Sequence, residues 1–416
     1  MSRKTTKNFI PKDKQYFKFC FYGFFKNLKF FEPFLMLFFL SKGLSYLQIG
    51  TLYAVREISI NILEIPTGIF ADILGRRKTM ITSFAGYIVS FVLFYFASSF
   101  ALLIISMLIF SFGDAMRTGT HKAMIFDYLR IKNLSDKKIT YYGHTRSWSQ
   151  AGAALSSLMA AAIVIWFNNY NTVFIISTIP YVAGLLLIWS YPQELDGPIK
   201  HEQGNNKHKI KLHFKQTLQT LKNKSVWQTY FNLSLWQGYF KAVKDYLQPV
   251  IVLAAAGLIT VKGLPERDKS ALTIGVVYFI IYIISSLSSR HSDKVTTLFK
   301  SPEKTINITL IFGLIIGILS GLLLKNNLPA SAVLFFIILY IIQNIRRTVG
   351  TGIISSKVKN NVLATGLSLQ SQLDSIITAF TAISLGLLAD VFSIGVALAT
   401  VGVFLLFTSF FVLLKK

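Results

Sequence analysis

The sequence predicts an all-α membrane protein of about twelve transmembrane helices, and three observations carry that reading. Apolar residues fill 53% of the 416 positions and charged residues only 15%, against about 25% charged in a soluble chain. Apolar runs of about 20 residues, enough to cross a hydrocarbon core, recur from end to end. The runs are continuous instead of alternating, which favours helices over a barrel, because a helix satisfies its own backbone in lipid.

Taken in order, the runs lie near 17–41, 46–71, 78–98, 100–127, 142–167, 172–191, 226–254, 270–289, 304–324, 329–354, 362–390 and 393–414. The stretch before the first, Met1–Lys14, is polar and basic, and no small-residue cleavage site follows that run, so a retained span is expected. The formal net charge of +25 would suggest nucleic acid in a soluble protein. Here the cations gather in the short connections between runs, so membrane topology accounts for them and no nucleic-acid partner is expected. Both termini and the even-numbered connections hold most of them, among others Lys4, Lys78, Arg130, Lys137, Lys207, Lys294, Lys357 and Lys415. The odd-numbered connections hold only Lys42, Lys262, Arg267, Lys269 and Lys325. The positive-inside rule then places both termini in the cytoplasm, with a bacterial inner membrane as the expected setting.

The longest polar segment divides the runs into two sets of six. The expected organisation is a cytoplasmic tail at 1–16, a bundle at 17–191, a central loop at 192–225 and a second bundle at 226–416. Within the loop, Ile210, Phe214, Leu218 and Leu221 recur among lysines at helical spacing, as in a basic amphipathic helix lying on the membrane surface. The halves repeat faintly, as in transporters built from duplicated units. Lys26-Asn27-Leu28-Lys29 before Pro33 resembles Lys241-Ala242-Val243-Lys244 before Pro249. The segment Ala115–Thr120 resembles Asn344–Thr351, offset by one residue, and Arg146–Gln150 resembles Leu367–Gln372 without the arginine.

Ionisable residues inside spans locate the chemistry, because each costs about 2.5–3.5 kcal/mol at a helix centre. Lys26, Lys29 and Glu32 lie in the first span, Arg56, Glu57 and Glu64 in the second, Asp114, Arg117, His121 and Lys122 in the fourth. The seventh holds Lys241, Lys244 and Asp245, the tenth Arg346 and Arg347, and the eleventh Asp374. Glu57, Asn61, Glu64 and Gly68 form one helical stripe. Two readings stand side by side. In one, Lys26, Lys29, Arg117, Lys241, Lys244, Arg346 and Arg347 make a cavity electropositive and bind an anion, for which the guanidinium fork is well shaped. In the other, the same cations neutralise the span carboxylates in structural pairs, and a mixture in which protonation switches the pairs joins the two. Glu32, Glu57, Glu64, Asp114 and Asp374 are the candidates for carrying a coupling proton. His121 reads foremost as a hydrogen-bonded structural residue.

Enzyme readings lack parts. There is no Gly-x4-Gly-Lys-Ser/Thr phosphate loop and no His-Glu-x2-His zinc motif, and His121 and Asp127 are spaced wrongly for an acyltransferase pair. One cysteine, Cys20, excludes a disulfide framework and a cysteine metal cluster. No catalysis, cofactor or metal is expected.

Between the second and third runs the chain reads Gly68-x3-Asp72-x2-Gly75-Arg76-Arg77. Gly75 permits a tight reversal there because glycine tolerates positive φ. This spacing resembles the signature of major facilitator superfamily transporters, and with twelve runs and a central loop the resemblance spans the whole chain. It implies two pseudo-symmetric six-helix bundles around a central cavity, rocking to expose it to each side in turn. It also implies a cytoplasmic gate of Gly68, Asp72, Gly75, Arg76 and Arg77 with Asp127, joined by Arg146. The second-half copy, Arg290-His291-Ser292-Asp293-Lys294, lacks both glycines. The fifth run, Ala151–Ala160, is small but lacks the proline usual in the family's drug antiporters. The expected function is secondary active transport of a small or medium organic anion, proton-coupled, by a monomer. A multidrug/proton antiporter and a non-transporting membrane sensor are the alternatives.

Overall fold

A computed structural model describes residues 12–134, 137–196, 224–257, 265–357 and 363–414. Helix dominates. The helices are α1 (Lys14–Lys26), α2 (Leu35–Ser41), α3 (Tyr46–Leu74), α4 (Arg76–Phe96), α5 (Phe100–Arg117), α6 (Thr120–Ile131), α7 (Lys138–Phe167) and α8 (Thr172–Trp189) in the first half. The second half has α9 (Lys224–Val243), α10 (Leu247–Ala256), α11 (Glu266–Arg290), the short α12 (Ser292–Leu298), α13 (Pro302–Lys325), α14 (Pro329–Lys357), α15 (Leu363–Val391) and α16 (Ile394–Ser409). Among the described residues, nine helical stretches are long and apolar enough to cross a membrane. The other three expected runs fall short of that measure for visible reasons. The first is broken into α1 and α2, the second carries Arg56, Glu57 and Glu64 within α3, and the seventh is broken into α9 and α10. The amphipathic helix expected over 210–221 lies outside the described residues.

The two breaks fall where the repeat predicted likeness. Pro33 opens a 3-10 turn, Glu32–Phe34, after α1. Lys244–Tyr246 form another between α9 and α10, shortly before Pro249. The fourth run also breaks, where a continuous helix over 100–127 was expected. Gly119 has φ +78°, which ends α5 and restarts the chain as α6. Its counterpart in α14 runs unbroken through 346–351. The duplication is therefore asymmetric at this pair.

Small residues set how closely the halves approach. A Cβ at Gly50 of α3 would stand 2.3 Å from the Ala382 carbonyl oxygen, and one at Gly386 of α15 would stand 2.4 Å from the Tyr46 oxygen. These contacts lie at the cation-poor end, the end with the 42–45 and 392–393 turns. At the same end a Cβ at Gly275 of α11 would meet Ser157 and Ala161 of α7. The small run of α7 thus packs directly on the second half.

Candidate functional site

The span charges gather into two linked groups. Asp114, 8% exposed at the end of α5, accepts a 2.8 Å bond from Arg117 Nη2 and a bond from the Tyr87 hydroxyl, and Arg56 Nη2 stands 3.7 Å away. Arg117 Nε also donates to the Tyr87 oxygen at 3.0 Å. Packing two guanidinium groups on one carboxylate keeps a buried charge compensated, at the cost of leaving net positive charge behind.

The second group joins the halves. Lys241 Nζ of α9 lies 2.7 Å from Glu57 Oε2 of α3, and Ser375 Oγ of α15 approaches the same oxygen at 3.5 Å. Lys244, in the break of the seventh run, bonds Asp245 at 3.0 Å and reaches Glu32, in the break of the first, at 3.8 Å. Lys29 stands 3.9 Å from Glu32. The helix breaks free Glu32 and Lys244 to face one another at mid-span.

Two cavities flank these groups toward the cation-rich end. The first, about 190 Å³, is lined within the first half by Lys26, Arg117, His121, Lys122, Tyr142 and Arg146, among others, and no carboxylate lines it among the described residues. The Tyr22 ring stacks on His121 with centroids 3.5 Å apart, and His121 Nε2 lies 3.2 Å from the Tyr191 hydroxyl. His121 is thus held as a structural residue. Lys122 lies over the rings of Phe126 and Tyr142, 5.6 Å from each centroid. Lys26 and Arg146 have no ion-pair partner among the described residues. The second cavity, about 300 Å³, is walled within the second half by Trp236, Gln237, Arg346, Arg347, Gln370 and Asp374, among others. Oδ1 of Asp374 is buried without a hydrogen-bond partner among the described residues.

Arg117 and Arg346, from the two resembling segments, part company. Arg117 faces its cavity, whereas Arg346 is 2% exposed and backs the wall of the other. Arg346 Nη1 donates to the Ile306 carbonyl and to Thr309 Oγ1 at 3.0 Å, and Nη2 donates to the backbone and side-chain oxygens of Asn232 at 3.1 and 2.9 Å. Trp236 covers it, 5.5 Å from the guanidinium carbon. Its neighbour Arg347 is exposed at the cavity. Glu64 has no ion-pair partner among the described residues, one helical repeat from Glu57 toward the cation-rich end.

At that end, Gly75 has φ +88° and separates α3 from α4. Arg76 pairs with Asp127 of α6, which also holds Arg130 at 3.0 Å. Arg77 donates from its backbone to Asp196 Oδ1 at 2.7 Å and from Nη1 to the Tyr191 carbonyl at 2.9 Å. The side chain of Asp72, and the surroundings of Gly68, lie outside the described residues. Arg146 faces the first cavity and makes no contact with Asp127 among the described ion pairs.

Sequence reasoning missed Tyr87, Asp196 and Asn232. Tyr87 is one tyrosine among 18, and only its contact with Asp114 distinguishes it. Asn232 carried a usable signal, since an amide inside a span needs a partner.

Residues 19–380 match the Major Facilitator Superfamily. An uncharacterized MFS-type transporter of Bacillus subtilis (strain 168), YxaM, is 33% identical over 90 residues, a match spanning 22% of this chain and 23% of that relative. The fold is similar to the nucleoside transporter NupG, with a TM-score of 0.75 at 13% identity over 97% of this chain and 100% of that one. It is also similar to a bacterial homologue of the human lysosomal transporter Spinster in an inward-facing, unoccupied conformation, with a TM-score of 0.74 at 13% identity over 97% of each chain. For a D-xylose–proton symporter the TM-score is 0.70 at 14% identity over 95% of each. With the family match covering most of its length, this chain belongs to the major facilitator superfamily and is a multi-pass membrane transporter.

Proposed function

We propose that this transporter moves a small or medium organic anion by proton-coupled alternating access, as a monomer in a bacterial inner membrane, with bundles at 17–191 and 226–416. The observation that carries the reading is the first cavity, where Lys26, Arg117, Lys122 and Arg146 line one wall system with no carboxylate among them. A basic cleft with low-dielectric walls concentrates anions. Lys26 and Arg146 lack described ion-pair partners, so a bound anion supplies the missing charge.

The structural pairs narrow the notional binding set. Lys29, Lys241 and Lys244 are engaged by Glu32, Glu57 and Asp245, Arg117 by Asp114 and Arg346 by neutral oxygens, which leaves Lys26, Lys122, Arg146 and Arg347 for cargo. Asp374 is the favoured proton carrier, because it faces a cavity without an ion-pair partner among the described residues. The cation-rich end is assigned to the cytoplasm, so the described state opens inward, with Arg76 and Asp127 as part of the gate that closes on the return.

A second reading rests on the same Asp374, which lines a cavity beside Trp236 and suits a cationic drug for export. Purified protein in liposomes separates the two. With an imposed proton gradient, the anion reading expects counterflow of organic anions and none of lipophilic cations. Transport of cations alone, lost in Asp374→Asn, would establish the second reading and remove the first.

A further inference from the structure

We infer that the cation-poor end is held shut by three side chains of the second half, Gln248, Arg267 and Asp390, each capping an open backbone terminus in the first half. Asp390 is the clearest. Its Oδ1 accepts from the Tyr46 N–H at 2.7 Å and its Oδ2 from the Leu47 N–H at 2.8 Å, while Ser45 Oγ takes the Gln48 N–H at 3.3 Å. A helix leaves its first four N–H groups without intrahelical partners. Here α3 divides them between its own cap and a carboxylate from the other half. Within α15 that carboxylate is badly placed, in the last turn, where the helix dipole opposes negative charge. The N-terminus of α3 supplies the compensating positive end, so a locally unfavourable residue is explained by a contact between halves.

Gln248 does the same for the break in the first span. Fully buried, its Oε1 accepts from the Met36 and Leu37 N–H groups at 2.8 and 3.4 Å, and its Nε2 donates to the Glu32 carbonyl at 3.0 Å. No water reaches backbone groups at such depth in lipid, so the amide completes a helix that the turn at Pro33 interrupts. Arg267 caps the opposite polarity. Its Nη1 donates at 2.7 Å to the carbonyl of Asn168, the left-handed residue (φ +61°) that ends α7, and Asp268 steadies its Nη2 at 3.1 Å. A cation at a helix C-terminus is favourably placed.

The hooks fall on three different contacts between halves: first span with seventh, second with eleventh, fifth with eighth. The Glu57–Lys241 pair lies eleven residues beyond Tyr46, about 16 Å along α3, so it is separate from this seal. Opening the cation-poor end requires all three hooks to release together, and losing any of them shifts the population toward the state open at that end.

Electron–electron distance measurement tests this without a substrate, and so independently of the proposed cargo. In a Cys20→Ser background, spin labels on Asn169→Cys and Asn326→Cys, both exposed at the cation-poor end in opposite halves, report its width in liposomes. The parent is expected to show mainly the short distance. Asp390→Ala and Arg267→Gln should each raise the ratio of long to short distances about tenfold, the equivalent of one charge-assisted bond. Gln248→Ala should add to this, and if that buried variant fails to fold, the Asp390→Ala arm alone decides, since Asp390 lies at the surface. An Asp390→Ala, Arg267→Gln protein with the parent's distance distribution would overturn the inference.

Discussion

Lys241 and Glu57 join the two halves of the chain through a 2.7 Å ion pair between α9 and α3, and each residue stands opposite a charge its own half does not supply. Two intramembrane charges that would each be costly alone are tolerated because their partner comes from the other bundle. Glu57→Gln and Lys241→Gln should each destabilise the folded protein, with a coupling of about 0.5–3 kcal/mol in a double-mutant cycle. The measurement is thermal unfolding in detergent. Strictly additive losses would show that the pair is not coupled.

The Asp114 group makes a stronger demand. Asp114→Ala leaves the half-buried Arg56 and Arg117 together without their shared carboxylate, and removing one partner of a fully buried pair costs about 3–5 kcal/mol, an upper bound here. Tyr87→Phe removes a single hydrogen bond to charge and should cost about 1.5–3 kcal/mol. Denaturation midpoints should therefore fall in the order Tyr87→Phe, then Asp114→Ala, with an inverted order counting against this geometry.

Arg346 is expected to behave as a packing residue and not as a cargo ligand. Asn232→Leu removes the side-chain oxygen that accepts from Arg346 Nη2 and leaves only the backbone carbonyl there, so stability should drop by about 1–3 kcal/mol. Arg346→Lys should not restore the parent, because an ammonium cannot span Ile306, Thr309 and Asn232 as a planar fork does. Ligand titration of the surviving folded fraction checks the distinction: affinity unchanged, stability lowered.

Lys26 and Arg146 should show the opposite pattern. Lys26→Gln and Arg146→Gln remove cavity charge without breaking a described ion pair, so melting should change little. Anion affinity should fall about tenfold for each, equivalent to about 1.4 kcal/mol, and the dependence of binding on ionic strength should weaken. Calorimetric titration at two salt concentrations reads both effects. Unaltered anion affinity in the double variant would remove the anion proposal.

Gly50→Leu places a side chain where a Cβ alone would stand 2.3 Å from the Ala382 carbonyl oxygen. The contact is backbone against backbone, so the halves must separate at the cation-poor end, and overpacking of this kind costs about 1–3 kcal/mol. Transport should fail while the protein still inserts, and labels on Asn169→Cys and Asn326→Cys should report a longer distance.

The sequence by itself determined the helical class, the positions of the runs, the asymmetry of cations between the two ends and the family signature at Gly75–Arg77. Each follows from composition or spacing along the chain, because lipid imposes its length and polarity rules locally on every span. Only the tertiary structure decided which charges are free. Lys26 and Lys29 lie three residues apart in one span, yet one faces a cavity and the other meets Glu32. Arg117 and Arg346 lie in resembling segments, yet Asn232 and Trp236 enclose the second. Asp390 reads as an ordinary loop-edge acid until the N-terminus of α3 is brought against it. Pairing energy depends on the distance between residues hundreds of positions apart, and that distance exists only once the two halves have packed.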